Sequence, residues 1–412
     1  MEKTKVYIFG TGLYGIILAI LLNKKKYNVT IVDQSDEILS SFKPIKISKY
    51  LINNGFHGID YPRGRYLINF LKTKIKVNLT KIKIEKMIII GRFVVNYFNK
   101  FQEYPAELKK KFIKKNLKFY KSQKLNFFFS KKFMKDVLIN TKRYSSNPKV
   151  AEGFFLPYFL PSDTKHISSD EGDIFRNKNR NKKKISYFYA PKNGIFYNLR
   201  HNFYKILKKE KINILNNHRI DIDKNYKIKL INKKNDIKNL PKNTKIYFCM
   251  SAVFFLKFVK NNMIDELKKN KREFYNALIK IKKGNLKNQF SEALSLNKKI
   301  FYVNRITKNY FIKDNEYDFY QIEILKNKIS DTNQIKKELE NELYKIFKCK
   351  IYFVGLKLSR ITFHPDNDWF LKAEKIVKKL IKKLPYKISI RYCFYPVNMN
   401  KAWIWANEDR KF

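Results

Sequence analysis

The chain opens on two apolar runs parted by glycines: Val6-Tyr-Ile-Phe9, then Gly-Thr-Gly, then a run ending at Leu22. A short apolar run, a glycine turn and a longer apolar run predict a buried strand, a tight turn and a buried helix. Asn28-Val-Thr-Ile-Val-Asp33 follows, with Val29 and Ile31 alternating, and reads as a second strand closed by an acid. Tyr66 to Lys72 is helical in pattern, and the β-branched runs Ile88 to Ile90 and Phe93 to Val95 predict a strand pair. Residues 105 to 165 read as helices with aromatic faces. Tyr187 to Gly194 is a strand running into a Pro/Gly turn, followed by an amphipathic helix from Ile195 to Lys209. Residues 212 to 248 alternate as short strands, of which Lys245 to Met250 reads as buried. Lys299 to Arg305 and Phe319 to Ile324 are strand-like, helices are predicted near 333–347 and 367–383, and a strand from Lys387, a loop and a final helix close the pattern.

The first unit carries candidate chemistry. Gly10-x-Gly12-x-x-Gly15 lies between the predicted strand and helix, as in a dinucleotide fingerprint. Gly10 makes the tight turn, Gly12 lets the backbone approach a pyrophosphate, and Gly15 lets the helix pack closely on the strand. The helix opens at Leu13 and Tyr14, where N–H groups and the helix dipole attract an anion. Asp33, about 20 residues past the turn, is placed to bind ribose hydroxyls, with Gln34 beside it. Val6 to Leu22 also has the apolar look of a signal anchor, but a membrane span has no use for three glycines at this spacing. Lys26 stands where a glycine commonly ends such a helix.

Composition narrows the partners. A chain of 412 residues with 44% hydrophobic content has room for two or more cores. Its net charge of +54 is spread along the whole sequence, with abundant Ile, Asn, Phe and Tyr. That mixture fits an AT-rich genome better than a polyanion-binding patch, so nucleic acid is not expected as a partner, while contact with an anionic membrane surface stays open. The basic clusters Lys109 to Lys115 and Arg176 to Lys184 read as solvated faces. Three cysteines without a C-x-x-C pair fit a reducing cytoplasm, and five scattered histidines show no metal-ligand spacing. Tyr302, Tyr320, Trp369, Trp403 and Trp405 read as packing residues.

A loop of glycine and polar residues, Asn53-Asn-Gly-Phe-His57-Gly-Ile-Asp-Tyr-Pro-Arg63-Gly-Arg65, is placed to wrap a cofactor. Together with the fingerprint, the Tyr189-Ala-Pro-Lys-Asn-Gly194 turn and the closing strand-loop-helix, it resembles the FAD-dependent amine oxidase and protoporphyrinogen oxidase superfamily over nearly the whole length. Within that superfamily the loop from Asn54 to Arg63 resembles UDP-galactopyranose mutase and related flavoproteins of polysaccharide biosynthesis. The resemblance implies an α/β fold, with a Rossmann-type FAD-binding domain of parallel sheet and flanking helices, plus an α+β substrate domain with an antiparallel sheet. It assigns 1–75, 186–255 and 350–412 to the FAD-binding domain, and 76–185 and 256–349 to the substrate or lid domain. His57, the one candidate catalytic residue, would approach the flavin. Arg391 and the turn holding Asn398 and Met399 would lie beside it. The chain departs from the family in having Ile390-Arg391 for the usual Gly-Arg, and the mutases' substrate residues have no clear counterpart.

These features lead to an FAD-dependent oxidoreductase that moves a hydride from a small molecule, such as a nucleotide sugar or glycan precursor, to the flavin. The alternatives are a non-redox sugar mutase using the same cofactor, and a basic binding protein without catalysis. The fingerprint alone serves NAD as well as FAD; the full-length pattern favours FAD.

Overall fold

In the computed structural model the described residues are 4–25, 27–54, 58–61, 64–90, 93–114, 130–131, 161–163, 186–242, 244–250, 252–265, 271–286, 290–296, 303–325, 331–363, 367–390 and 406. The first layer is a five-stranded sheet in the order β10-β2-β1-β14-β20. Its strands are β1 (Lys5–Phe9), β2 (Asn28–Val32), β10 (Asn213–Leu215), β14 (Lys245–Phe248) and β20 (Lys387–Ile390), and every neighbouring pair is parallel. Both faces of β1 are covered, which is why the strand reads as a continuous apolar run. Val6 and Ile8 pack on the helix α1 (Leu13–Asn23), whereas Tyr7 and Phe9 pack with the helices Ala252–Phe258 and Asn367–Lys383 on the far side.

Helix α1 is apolar all round because it is enclosed, with Ile16, Ile17, Leu18, Ile20 and Leu22 all buried in the largest core cluster. That enclosure gives it the look of a membrane anchor. Its 11 residues span about 16 Å, half of a bilayer's roughly 30 Å. Among the described residues no helix is long and apolar enough to cross a membrane.

The second layer is a seven-stranded sheet in the order β19-β15-β18-β17-β16-β7-β8. It contains β7 (Lys86–Ile90), β8 (Phe93–Asn96), β15 (Lys271–Lys282), β16 (Glu292–Leu296), β17 (Val303–Asn309), β18 (Tyr317–Leu325) and β19 (Ile351–Phe363). All neighbours are antiparallel except the β16–β7 pair. One face is apolar: Ala277, Ile279, Ala293, Ile306, Ile322 and Ile324 pack under the helix Thr332–Phe347. That helix buries Ile335, Leu339, Leu343 and Phe347 at four-residue spacing, and its Asp331 cap accepts from the Asn333 N–H. Strand β19 draws residues 351–363 into this sheet, a stretch that the family resemblance groups with the FAD-binding segments.

Three smaller units join the layers. They are the sheet of β5 (Ile59–Tyr61), β9 (Ser186–Pro191) and β6 (Leu79–Ile84), the hairpin of β3 (Ile45–Ile47) and β4 (Tyr50–Ile52), and the meander β11 (Arg219–Ile222), β12 (Ile228–Ile231), β13 (Ile237–Asn239). Helix α2 (Arg65–Thr73) packs Leu67, Ile68, Phe70 and Leu71 into the cluster around α1.

Most predicted elements are present, with local differences. The expected helix from Ile195 begins as a 3-10 turn, Phe196–Leu199, and becomes α-helical at Arg200. The strand expected at Lys299 is described from Val303 and runs on to Asn309. Of the helices expected between 105 and 165, Ala106–Lys109 is described; most of the remainder, Lys26 and the loop and helix after β20 lie outside the described residues. Tyr320 is buried in the core under Thr332–Phe347, while the side chains of Tyr302, Trp369, Trp403 and Trp405 are outside the described set.

Candidate cofactor-binding site

The glycine turn leaves β1 at the carboxyl edge of the parallel sheet, where open α/β sheets receive ligands. Gly10 sits at φ +110, a conformation that side chains rarely adopt, and its N–H donates to the Val32 carbonyl at 2.9 Å. Gly12 is extended at φ −64, ψ 166 and caps α1 without a side-chain bond. A Cβ placed on Gly12 meets nothing within 4 Å, so the space beside it is open. Gly15 is the opposite case: its Cβ would fall 2.0 Å from the Gly10 carbonyl oxygen. Helix and turn touch there through bare backbone. Leu13 and Tyr14 form the first turn of α1 and are partly buried against the core.

Asp33 follows β2 and faces this turn. Its Oδ2 accepts from both the Thr11 N–H and the Thr11 hydroxyl at 2.7 Å, and its Oδ1 accepts from the Ser35 N–H at 2.8 Å. The carboxylate therefore locks the fingerprint turn as well as closing β2. An ionised carboxylate has about four acceptor positions, so Oδ1 keeps capacity for a ribose hydroxyl. Gln34 is exposed beside it.

The loops after β2 and β10 are stitched together next to Asp33. The Asp33 N–H donates to the Leu215 carbonyl, His218 N–H donates back to the Asp33 carbonyl, and Asn216 Nδ2 donates to Asp36 O at 3.1 Å. His218 Nδ1 lies 2.7 Å from the Asn216 carbonyl, which can only accept, so Nδ1 is the donor of this bond. Leu39, buried at φ 59, closes the loop by donating to the Thr11 carbonyl at 3.0 Å. Behind it, Lys43 and Arg200 flank Glu37 at 3.1 and 3.4 Å. A hydrogen bond from Tyr197 and the two cations hold the Glu37 carboxyl below its ordinary range, while burial and Glu37 push the Tyr197 phenol up to about 12.

Thus the structure brings together Gly10, Gly12, Leu13, Tyr14, Gly15, Asp33 and Gln34. His57, Arg63, Arg391, Asn398 and Met399 lie outside the described residues.

A second constellation has no counterpart in the sequence reading. Side chains that alternate with the apolar face of the large sheet point the other way, and there Asn276, Glu292, Thr307, Gln321 and Glu323 are all buried. Strand register makes them a ladder: Glu323 sits opposite Asn276 on one side and Arg305 on the other, Thr307 lies between Gln321 and Glu292, and Glu292 faces Lys86. Gln321 Nε2 donates to Asn276 Oδ1 at 2.9 Å and to the Asn53 carbonyl at 3.0 Å. Asn54 Nδ2 donates to the Ser359 carbonyl at 3.0 Å, so the segment leading into the glycine-rich loop is pinned to β18 and β19. The available signal was a polar residue inside an otherwise apolar strand, as in Tyr275-Asn-Ala-Leu278. Among the described residues no group of His, Cys, Asp and Glu is arranged to hold a metal ion.

Comparison with solved structures gives the fold a context. A protein from an Exiguobacterium species, assigned as a protoporphyrinogen oxidase, superposes with a TM-score of 0.62 at 10% identity, covering 100% of this chain and 99% of its own. The likeness is one of fold and runs over the whole chain. Putrescine oxidase bound to putrescine matches with a TM-score of 0.62 at 10% identity over 100% of both chains. A fatty acid isomerase from P. acnes that produces conjugated linoleic acid matches at 0.55 and 8% identity, over 99% and 98%. Comparisons with protein-family models and with curated proteins give no match.

Proposed function

We propose that this chain is an FAD-dependent oxidoreductase acting on a small molecule. The observation that carries the reading is the open backbone cradle at Gly12, set between a turn that demands glycine at Gly10 and a helix start that tolerates no side chain at Gly15. Gly10, Gly12 and the N–H groups opening α1 would hold the pyrophosphate, and Asp33 would take a ribose hydroxyl through Oδ1. Bound FAD would supply a flavin ring that accepts a hydride from a carbon bearing an amine or hydroxyl. From the family resemblance, His57, Arg391, Asn398 and Met399 would stand near that ring.

The polar ladder of the large sheet is our candidate for the substrate-facing wall. The Thr307 hydroxyl and the Gln321 Oε1, which the bonds to Asn276 and Asn53 leave over, suit a substrate with several hydrogen-bonding groups. A nucleotide sugar or glycan precursor meets that description and agrees with the resemblance of the 54–63 loop. In this division the substrate domain takes 76–185 and 256–363, with β19 counted in its sheet, and the FAD-binding domain takes the rest. The cysteine usage supports a cytoplasmic location.

The test is the visible spectrum of the purified protein, followed by release and identification of its chromophore. The reading predicts the bands of oxidised flavin and released FAD; a colourless protein that cannot be reconstituted with FAD overturns it. A second reading keeps the cofactor without net oxidation, and the match to a fatty acid isomerase favours it. Anaerobic addition of substrate separates the two, because lasting bleaching of the flavin belongs to the oxidoreductase alone.

A further inference from the structure

The outer face of the β5-β9-β6 sheet carries chemistry that the cofactor site does not use. Along β9, Phe188 and Ala190 are buried, so Tyr187 and Tyr189 alternate to the other side. The registers Lys81↔Tyr189, Lys83↔Tyr187 and Tyr61↔Tyr187 bring exposed residues of β6 and β5 onto that side. Tyr61 is 46% exposed, and the Lys83 side chain 57%. Lys81 Nζ lies 4.0 Å from the centre of the Tyr187 ring, and Lys72 Nζ reaches from α2 to 4.9 Å from the Tyr189 ring. At the start of the same helix the Arg65 guanidinium lies 4.9 Å from the Tyr66 ring. Among the described residues the acid paired on this face is Glu85, 3.0 Å from Lys83.

We propose that this face docks the protein onto an anionic lipid surface. Lysine and arginine heads are attracted to acidic headgroups, and tyrosine is suited to the interface because its ring is apolar and its hydroxyl wet. A short sheet presents these groups in one plane. Single-stranded nucleic acid would use the same cations, but it also needs open ring faces on which bases can stack. Here Lys72 and Lys81 lie over the rings of Tyr189 and Tyr187, so those faces are occupied. Tyr61 keeps an exposed ring, but a single ring is short of the run of platforms that successive bases need, while the charge complementarity remains.

The full chain is tested by co-sedimentation with phosphatidylcholine vesicles, with and without about 30% phosphatidylglycerol. The expected result is partition onto the phosphatidylglycerol vesicles alone, weakened by added salt. The triple variant Lys72→Gln, Lys81→Gln, Lys83→Gln should lose partition by about tenfold or more, and Tyr61→Ser should weaken it further. A control with Lys233→Gln, Lys234→Gln and Lys238→Gln, exposed on the β12–β13 hairpin, removes the same charge and should bind like the native protein. Without any substitution, phosphatidylglycerol vesicles should shield Lys72 and Lys81 from acetylation, read by mass spectrometry, and leave Lys233 and Lys234 reactive. Equal loss in both triple variants, no vesicle binding, no shielding, or tighter binding of oligothymidylate than of vesicles overturns the proposal.

Discussion

Gly12 and Gly15 stand one helical turn apart and make opposite demands. Gly12→Ala places a methyl in open space at a helix cap, so stability should stay within about 1 kcal/mol. The same methyl stands where the pyrophosphate would rest, and FAD affinity should fall by about tenfold or more. Gly15→Ala drives a Cβ to 2.0 Å from the Gly10 carbonyl, so helix and strand must separate at a cost of about 3 kcal/mol. Urea melts and flavin content per chain measure both; two variants with the same profile would refute the division of roles. The glycine spacing was legible in sequence because it expresses local backbone geometry. The Thr11–Asp33 lock was not, because it depends on the β1–β2 register across 22 residues. The αL backbone of Leu39 was hidden for another reason: nothing in a leucine announces a conformation that costs it roughly 1–2 kcal/mol.

At the level of elements, the buried ionic part of the polar ladder controls the large sheet. Glu292 is 7% exposed and lies 3.3 Å from both Lys86 and Arg305. Burial pushes its carboxyl up, but the two cations prevail and hold it below the ordinary 4.5. Glu292→Gln removes the shared anion; the loss should be about 2 kcal/mol, under the 3–5 of a fully enclosed pair, because Lys86 and Arg305 keep 19% and 30% exposure. Since the folded values of Glu292 and Glu37 lie below 4.5, their contribution is present above that pH and fades as acid carries the solution through the folded values. The variant's thermal midpoint should therefore depend less on acid pH than the native one. Tyr197 acts at the alkaline end. With its folded value raised from 10.0 to about 12, it contributes below 10 and loses that contribution as pH rises toward 12, and Tyr197→Phe should flatten the alkaline decline. An unchanged slope would refute the Glu37–Tyr197 coupling. Helix Thr332–Phe347 could be read directly from its four-residue apolar spacing. The ladder could not, since Lys86 and Glu292 meet only when strands far apart in sequence pair.

The net charge of +54 sets the behaviour of the whole molecule. Cations outnumber acids along the full length, so at low ionic strength the folded chain repels itself. Raising salt from about 0.01 M to 0.15 M shortens the screening length from roughly 30 Å to 8 Å, and the thermal midpoint should rise. A midpoint that falls with salt would show that the attractive pairs, Lys86–Glu292 and Lys308–Asp318, outweigh the repulsion. The individual strands and helices were legible from the apolar pattern, whereas the α/β class with one parallel and one antiparallel sheet came from the family resemblance. The partition of strands was less legible: β19 follows a helix in sequence yet joins the sheet of β15, because its long run pairs across that strand's whole length.

One consequence follows from the place of β20 at the end of the sheet β10-β2-β1-β14-β20. Its partner β14 leaves the ribosome roughly 140 residues earlier. At about 5–20 residues per second the nascent chain carries the unsealed flank of β14 for roughly 7–28 s. During translation that flank is a template for stray pairing with a neighbouring polypeptide, and holdase chaperones that shield it should raise the yield of soluble protein.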